Sequence, residues 1–85
     1  MYKITFKESA IKELTRLQKP IVRRLSAAID KLADNPRPIG MKKLQGSNEN
    51  LYRIRVGDYR IIYVIDDVVR IVNVRKIGDR KDIYR

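Results

Sequence analysis

The spacing of apolar residues divides the chain into a helical first half and a second half of strands. Over residues 2–6 apolar and polar side chains alternate, which predicts a half-buried strand. Over residues 9–34 apolar positions recur every three or four residues, the spacing of one helix face. Pro20 falls inside this stretch. Because proline suits the first turn of a helix but not its interior, the pattern predicts two helices with a very short link.

A polar connector separates the two halves. Prolines, glycines and a run of Ser, Asn and Glu over residues 36–50 resist regular structure. Within the connector we interpret Met41–Leu44 as a short turn that Leu44 anchors in the core. From Leu51 onward apolar residues alternate with polar ones, and the pattern predicts three strands, at about 51–56, 59–65 and 68–75.

The order of these elements predicts the class of fold. A β-α-α-β-β-β order is typical of an α+β protein, in which a helical hairpin packs on one face of a small antiparallel sheet. The length and the absence of internal repeats predict one domain over residues 1–85.

The hairpin of the second and third strands is the best-defined prediction. A two-residue loop at Gly57–Asp58 pairs Arg55 with Arg60, and directly opposed residues point to the same side of a sheet. One side then carries Arg53, Arg55 and Arg60, and we call this surface the arginine face. The other side carries the apolar residues expected to pack against the helices: Tyr52, Ile54, Val56, Tyr59, Ile61 and Tyr63.

The arginine face has two interpretations. Long arginine stems can splay apart and keep their charged ends in water, as is common on exposed strand faces. Alternatively, the three guanidinium groups form a patch for phosphate, because each offers a planar fork that matches phosphate oxygens. The exclusive use of Arg at these positions favours the phosphate interpretation.

The register of the last strand is less constrained by the sequence. A two-residue turn at Asp66–Asp67 pairs Asn73 with Arg60 and directs alternate valines toward the helices, whereas a three-residue turn reverses the faces. We favour the two-residue turn because it extends the polar patch. Gly78 is then expected to turn the chain sharply out of the last strand, which returns the residues after it to the sheet edge.

Composition indicates a class of partner. The 85 residues include 20 Lys+Arg and 10 Asp+Glu, a net charge of +10, and the isoelectric point is about 10.2. Such a charge favours a polyanion, most often nucleic acid, ahead of an acidic protein or an anionic membrane surface. Cys and His are absent, which excludes disulfides, thiolate metal sites and nearly every zinc site. We expect no cofactor. The absence of Cys fits a reducing cytoplasm, and no apolar run is long enough to span a membrane.

Three segments together resemble the RelE family of toxins from type II toxin–antitoxin systems, within the RelE/ParE superfamily. They are Lys43–Gly46 (KLQG), Leu51–Tyr63 (LYRIRVGDYRIIY) and Ile77–Arg85 (IGDRKDIYR). The resemblance implies a RelE-like fold and a ribosome-dependent endoribonuclease, an mRNA interferase that needs no metal and inhibits translation. It also implies cytoplasmic partners: the ribosome, mRNA and a cognate acidic, RelB-like antitoxin, with which the toxin forms a hetero-oligomer.

The resemblance assigns roles to individual residues. The family's catalytic set corresponds to five residues: Arg53, Arg55, Arg60, Arg80 and Tyr84. Neighbouring basic side chains complete the expected RNA-binding surface: Lys42, Lys43, Arg75, Lys76 and Lys81. Asp79 departs from the family pattern, since many relatives carry a basic residue there. It could act as a base, could pair with Arg80 and weaken it, or could be incidental; we favour a modulating role.

Other functions stay open at the level of sequence. ParE-like toxins share the fold but inhibit gyrase, and they generally lack the complete set of basic residues present here. A non-catalytic RNA-binding module is favoured if Asp79 neutralises Arg80, and a binder of acidic peptides is a further alternative. In a nuclease without His, the general base and acid must be sought among Tyr84, Asp79 and Lys43, because arginine stays protonated at neutral pH.

Overall fold

Two helices lie on one face of a five-stranded sheet in the computed structural model, which describes residues 1–46 and 50–79. The elements in chain order are β1 (Lys3–Phe6), α1 (Glu8–Thr15), α2 (Lys19–Asp34), β2 (Lys42–Lys43), β3 (Leu51–Val56), β4 (Tyr59–Asp66) and β5 (Ile71–Asp79). The strands lie in the order β1-β5-β4-β3-β2. The predicted α+β class, with the helical hairpin on one sheet face, is confirmed. The prediction of a wholly antiparallel sheet is wrong: β1 runs parallel to β5, so the sheet is mixed.

Both helices form where the apolar spacing predicts them. α1 carries Glu8 in its first turn, where a negative charge complements the helix dipole, and Glu8 pairs with Lys12 one turn later at 3.7 Å. α2 carries Pro20 in its first turn and ends at Asp34, two residues before Pro36. Among the described residues, no helix is both long enough and apolar enough to cross a membrane.

The core lies between the helices and the sheet. Leu25, Ile29 and Leu32 come from successive turns of α2 and are at most 1% exposed, as their helical spacing predicts. The sheet contributes the apolar face of the β3–β4 hairpin, in which Ile61 and Tyr63 are fully buried. The predicted division of this hairpin into an apolar face and a basic face is confirmed.

The register of the β3–β4 hairpin follows the predicted pairing. Arg55 lies opposite Arg60, and Ile54 lies opposite Ile61. Gly57 opens the two-residue turn with a φ of 61°, in the left-handed region that glycine adopts without steric cost. The turn therefore fixes the arginines on one side of the sheet and the isoleucines on the other.

A short strand, β2, replaces the turn expected at Met41–Leu44, so that prediction is wrong. Lys42 lies opposite Arg53, and Lys43 lies opposite Tyr52. The outer edge of β3 presents backbone donors and acceptors, and the connector satisfies some of them by pairing with it. Two residues are too few to produce a recognisable alternation, which is why the sequence did not reveal the strand.

The turn between β4 and β5 is longer than predicted. Asp66 ends β4 opposite Ile71, so residues 67–70 form the turn, and the predicted two-residue turn at Asp66–Asp67 is wrong. The Asp66 carboxylate accepts hydrogen bonds from two backbone N–H groups of the turn, at 3.0 and 3.2 Å. This side-chain cap stabilises the longer connection, a role in which aspartate is common.

The longer turn preserves the predicted faces at the start of β5. It displaces the register by an even number of residues, and side chains alternate with a period of two, so the same side chains face the helices. Val72 and Val74 are accordingly fully buried. Asn73 lies opposite Val64, however, so the predicted pairing of Asn73 with Arg60 is wrong.

A β-bulge changes the faces in the second half of β5. The register skips one residue of this strand, Arg75, between the pairs made by Ile62 and Tyr63. Arg75 and Lys76 therefore both lie on the arginine face, although they are consecutive. The shift also directs Ile77 into the core, where it is 1% exposed.

Gly78 continues the strand and does not turn the chain, so the expected sharp turn at this residue is wrong. β5 extends to Asp79, and Gly78 lies opposite Arg60 with no left-handed φ. Burial of Ile77 explains the extension, because the strand has to run past this side chain to hold it against the helices.

Hydrogen bonds within a polar cluster connect the segment before β2 to the β4–β5 turn. The Asp67 carboxylate accepts hydrogen bonds from the Tyr2 hydroxyl at 2.6 Å and from both terminal nitrogens of Arg37, at 3.2 and 2.8 Å. Beside it, the buried Tyr63 hydroxyl donates to the carbonyl of Pro36 at 2.8 Å. The hydrogen bonds from Arg37 and Tyr2 stabilise the charged carboxylate and lower the pKa of Asp67 from 3.8 to about 2.

We expect Ile61→Ala to lower the free energy of unfolding by about 2–5 kcal/mol, because it leaves a cavity in a small core. Ile39→Ala is the matched control: the same atoms are removed from a side chain that is 107% exposed, against 0% for Ile61. Its effect should stay within about 0.5 kcal/mol. Unfolding in urea measures both, and similar losses at the two positions would contradict this placement of the core.

We also expect the stabilisation by Asp67 to depend on pH. Because its folded-state pKa is depressed, its contribution is complete above the unfolded value of 3.8 and is lost as the pH falls toward about 2. The difference in urea midpoint between the parent and Asp67→Asn should therefore shrink over that range. The difference is small throughout, since the pair with Arg37 is exposed. A difference that stays constant in acid would show that the carboxylate charge plays no part.

Candidate functional site

The arginine face combines one buried arginine with two more accessible ones. Arg60 lies on β4, the central strand, and is only 7% exposed. Arg53 is half-buried and Arg55 is exposed on the neighbouring β3. The Nε atoms of Arg53 and Arg60 are buried, so the inner part of each guanidinium lies within the packed surface of the protein. Burial of this kind holds a long side chain in one direction, which suits a binding site more than a solvated surface.

The three arginines are close enough to act on one phosphate. Arg55 and Arg60 are directly opposed across two strands, which places their Cβ atoms about 5 Å apart. Arg53 lies on the same face two residues before Arg55, and their Cα atoms are about 7 Å apart by strand geometry. Positive charges at these separations repel one another, and an anion between them removes that repulsion. The arrangement is therefore suited to bind a phosphate through several guanidinium forks.

β5 extends this basic surface on the other side of Arg60. The bulge brings both Arg75 and Lys76 to the arginine face. The Nε of Arg75 donates to Asn73 Oδ1 at 2.6 Å, and Asn73 Nδ2 donates to the hydroxyl of Thr5 on β1 at 2.8 Å. The two β5 residues predicted to bind RNA thus lie on the same face as three of the predicted catalytic residues, Arg53, Arg55 and Arg60.

The two lysines of β2 lie on opposite faces. Lys42 is opposite Arg53 and joins the arginine face, whereas Lys43 is opposite Tyr52 and lies on the helix side. Both side chains are exposed. Of these two residues predicted to bind RNA, the register therefore brings one beside the arginines and separates the other from them.

Asp79 also lies on the helix side of the sheet. It is opposite Tyr59, whose ring packs against the core, and opposed residues share a face. Arg60, one pair earlier, lies on the other face.

The remaining predicted site residues lie outside the described residues: Arg80, Lys81 and Tyr84.

A groove runs between α2 and the outer edge of β3, where side chains from both faces of the sheet meet. It encloses about 800 Å³ between α2, the connector at Pro38–Gly40 and residues Arg53–Val56 of β3. Five of the described residues that line it are basic: Arg24, Lys31, Lys42, Arg53 and Arg55. None of the described lining residues is acidic. We call it the basic groove.

Sequence reasoning did not find the basic groove, because its walls come from segments that are far apart in the chain. One signal was present: Arg24 and Lys31 are two helical turns apart and so share a face of α2. The structure adds that Arg24 reaches the β3–β4 turn, since a Cβ placed on Gly57 would lie 3.0 Å from Arg24 Nη2.

Comparison with known sequences agrees with this architecture. A family model described as "ParE toxin of type II toxin-antitoxin system, parDE" matches residues 4–84. Toxin RelE of Mycobacterium tuberculosis is 33% identical over 85 residues, which cover 99% of this chain and 87% of that protein.

Solved structures show the same fold. The archaeal RelE–RelB complex from Pyrococcus horikoshii OT3 contains a chain that matches with a TM-score of 0.82 and 30% identity, over 95% of this chain and 97% of that one. The isolated Escherichia coli RelE toxin matches with a TM-score of 0.80 and 27% identity, over 99% of this chain and 92% of that one.

The fold, together with the family model and the RelE relatives, identifies the chain as a toxin of the type II toxin–antitoxin class. The chain belongs to the RelE/ParE superfamily, which confirms the resemblance found in the sequence. Within that superfamily it is the toxin of a RelBE-type system.

Proposed function

We propose that this toxin is a cytoplasmic, ribosome-dependent endoribonuclease that cleaves messenger RNA and thereby inhibits translation. The observation that carries the proposal is the arginine face, where Arg53, Arg55 and Arg60 are gathered on the side of the sheet that the helices leave open. The RelE names of the toxins from M. tuberculosis and E. coli support the same function.

RNA cleavage by internal attack sets three chemical tasks. The 2′-hydroxyl loses its proton as its oxygen forms a bond to the adjacent phosphorus. The bond from phosphorus to the 5′-oxygen then breaks, and this oxygen takes up a proton. In between, phosphorus is bonded to five oxygens and carries additional negative charge. Guanidinium groups fixed around that phosphate stabilise the transition state more than the ground state, which lowers the barrier.

We assign the stabilisation of negative charge to the arginines. Arg53, Arg55 and Arg60 supply three forks from β3 and β4, and the sequence adds Arg80 as a fourth. None of them can accept the proton of the 2′-hydroxyl, because a guanidinium stays protonated at neutral pH. A site of this kind contributes charge and geometry, and the ribosome holds the messenger in place for it.

We assign proton transfer to Tyr84. The register argues against the two other candidates, since Lys43 and Asp79 lie on the helix side of the sheet. A tyrosine hydroxyl can both accept and donate a proton, which the two proton transfers of the cleavage require. In this scheme Asp79 is a modulator: its negative charge lowers the net positive charge of the toxin and so weakens its attraction for the messenger from the other side of the sheet.

Inhibition of gyrase is a second candidate, because the matching family model is described as a ParE toxin. Pulse labelling separates the two functions in a bacterium that expresses the toxin without an antitoxin. Early loss of protein synthesis supports RNA cleavage. Loss of DNA synthesis before protein synthesis supports inhibition of gyrase.

We further propose that an acidic antitoxin segment occupies the basic groove and forms a toxin–antitoxin hetero-oligomer. RelE is paired with RelB in the complexes from P. horikoshii and E. coli. The lining of the groove is basic, and within the described part of the chain residues 54–56 of β3 have no neighbouring strand on their outer side. An extended acidic segment can therefore pair with this edge and neutralise the groove at the same time.

We expect Arg60→Ala to slow single-turnover cleavage of ribosome-bound messenger by about a hundredfold or more, the usual scale for loss of one group that stabilises transition-state charge. Arg23→Ala, which removes the same charge from an exposed position on α2, should leave the rate unchanged. Asp79→Asn should also leave the chemical step intact, because the carboxylate is not the base.

The burial of Arg60 calls for a check of folding in these variants. Circular dichroism and thermal unfolding identify the folded proteins, and Arg60→Lys keeps the charge and most of the stem while removing the planar fork. Arg60→Lys should therefore be folded but impaired. Full cleavage by a folded Arg60→Ala protein, or a large loss with Asp79→Asn, would contradict this assignment of roles.

We expect Arg24→Glu to weaken antitoxin binding by about tenfold or more, because it reverses a charge in the basic groove. Arg16→Glu is the matched control, since it makes the same change at an exposed residue just after α1. Association and dissociation rates measured at low and high salt give the comparison, and the effect should decrease as salt screens the charges. Equal losses for both variants would show that net charge alone governs binding.

A further inference from the structure

Asn73 connects β1 to the basic part of β5. Its Nδ2 donates to Thr5 Oγ1 at 2.8 Å, and its Oδ1 accepts from Arg75 Nε at 2.6 Å. All three side chains are half-buried and lie on the arginine face. The Asn73 amide thus donates a hydrogen bond to a residue of the neighbouring strand and accepts one from a guanidinium.

The bond to Arg75 is not needed to hold the strands together. Backbone pairing over Lys3–Phe6 and the hydrogen bond between Thr5 and Asn73 already join β1 to β5. Asn73 and Arg75 belong to the same strand, so the bond between them adds no connection across the sheet. Its effect is on the guanidinium: Nε is the inner nitrogen of a rigid plane, and fixing it sets the direction of the two outer nitrogens.

The Arg75 side chain extends away from the three arginines of β3 and β4. Asn73 lies opposite Val64, four residues along β4 from Arg60, so the hydrogen bond draws Arg75 along the sheet rather than toward Arg60. The bulge places Arg75 one strand away from Arg60 and between two and three residues along the sheet, so their Cα atoms lie roughly 9 Å apart by strand geometry. Arg53 lies about as far from Arg60, so it is the direction of the Arg75 side chain, and not its distance, that separates it from the other three arginines.

From this arrangement we propose that Asn73 is a positioning residue that orients Arg75 toward a second phosphate of the messenger. This phosphate flanks the one held by Arg53, Arg55 and Arg60, and the proposal rests on the nuclease function proposed above. A strand held at two phosphates has less freedom to rotate about the cleaved bond, which favours in-line attack. Arginine at position 75 provides a directed fork, which a lysine would not.

Single-turnover cleavage of ribosome-bound messengers that carry one neutral methylphosphonate linkage tests the second phosphate. The linkage is placed in turn at each position that flanks the cleaved bond. For the parent protein, one position should slow cleavage by about tenfold, the scale for losing a hydrogen bond to a charged group. Arg75→Ala should be about tenfold slower on the unmodified messenger and should lose nothing further from that neutral linkage.

Asn73→Ala tests whether the amide acts through Arg75. Its rate should fall, and the double variant Asn73→Ala with Arg75→Ala should be no slower than Arg75→Ala alone. Thr5→Val keeps the shape of the side chain but removes the hydroxyl that Asn73 binds, so it should lower the cleavage rate by a smaller factor, and only when Arg75 is present. This variant replaces Asn73→Ala in the test if Asn73→Ala does not fold. Additive losses in the double variant would overturn the proposal, because they would show a role for Asn73 that is independent of Arg75.

Arg60→Ala distinguishes failure of this inference from failure of the proposed function. If Arg60→Ala abolishes cleavage while Arg75→Ala and every neutral linkage leave it unchanged, the nuclease function stands and the second phosphate is wrong. If the parent protein does not cleave ribosome-bound messenger, or if a folded Arg60→Ala protein cleaves it normally, the nuclease function itself is wrong.

Discussion

The register of the β3–β4 hairpin is the constraint on which the rest of the structure depends. A two-residue turn at Gly57–Asp58 decides which residues of the two strands oppose each other. Because side chains alternate with a period of two, a slip by one residue would put the arginines into the core and the isoleucines into water. Burial of one face against the helices therefore also determines where the guanidinium groups lie.

Stability and anion binding are assigned to opposite faces of the same strands. The pair of Arg55 and Arg60 places like charges directly opposite each other, which is unfavourable in a sheet without a ligand. Burial of the apolar residues behind that pair compensates for the repulsion. A phosphate bound between the two guanidinium groups would relieve this repulsion, which would make its binding more favourable.

The parts of the fold that could be predicted are those where local signals agree. In LYRIRVGDYRIIY the alternation and the Gly–Asp turn specify the same register, and the helices have both the right spacing and a proline at the junction. The bulge at Arg75 could not be predicted in this way. Simple alternation through Arg75, Lys76 and Ile77 would bury the lysine, and the preference for burying Ile77 instead depends on the helices packed above it.

The candidate site was predictable to the same extent. The arginine face follows from the hairpin alone, whereas the side of the sheet taken by Asp79 depends on the bulge, which reverses the alternation before it. The basic groove depends on contacts between α2 and β3, which no local pattern encodes. The roles of Arg80 and Tyr84 come from family resemblance and stay predictions.

The pairing of the first strand with the last has a consequence for the order of folding during synthesis. Lys3 lies opposite Ile71, so β1 and the apolar sides of both helices emerge from the ribosome long before the strand that completes their sheet. Contacts so distant in sequence form late, because a long loop must close first. A nascent toxin therefore stays incomplete until β5 has been made, and β5 adds Arg75 and Lys76 to the arginine face in the same step that closes the core.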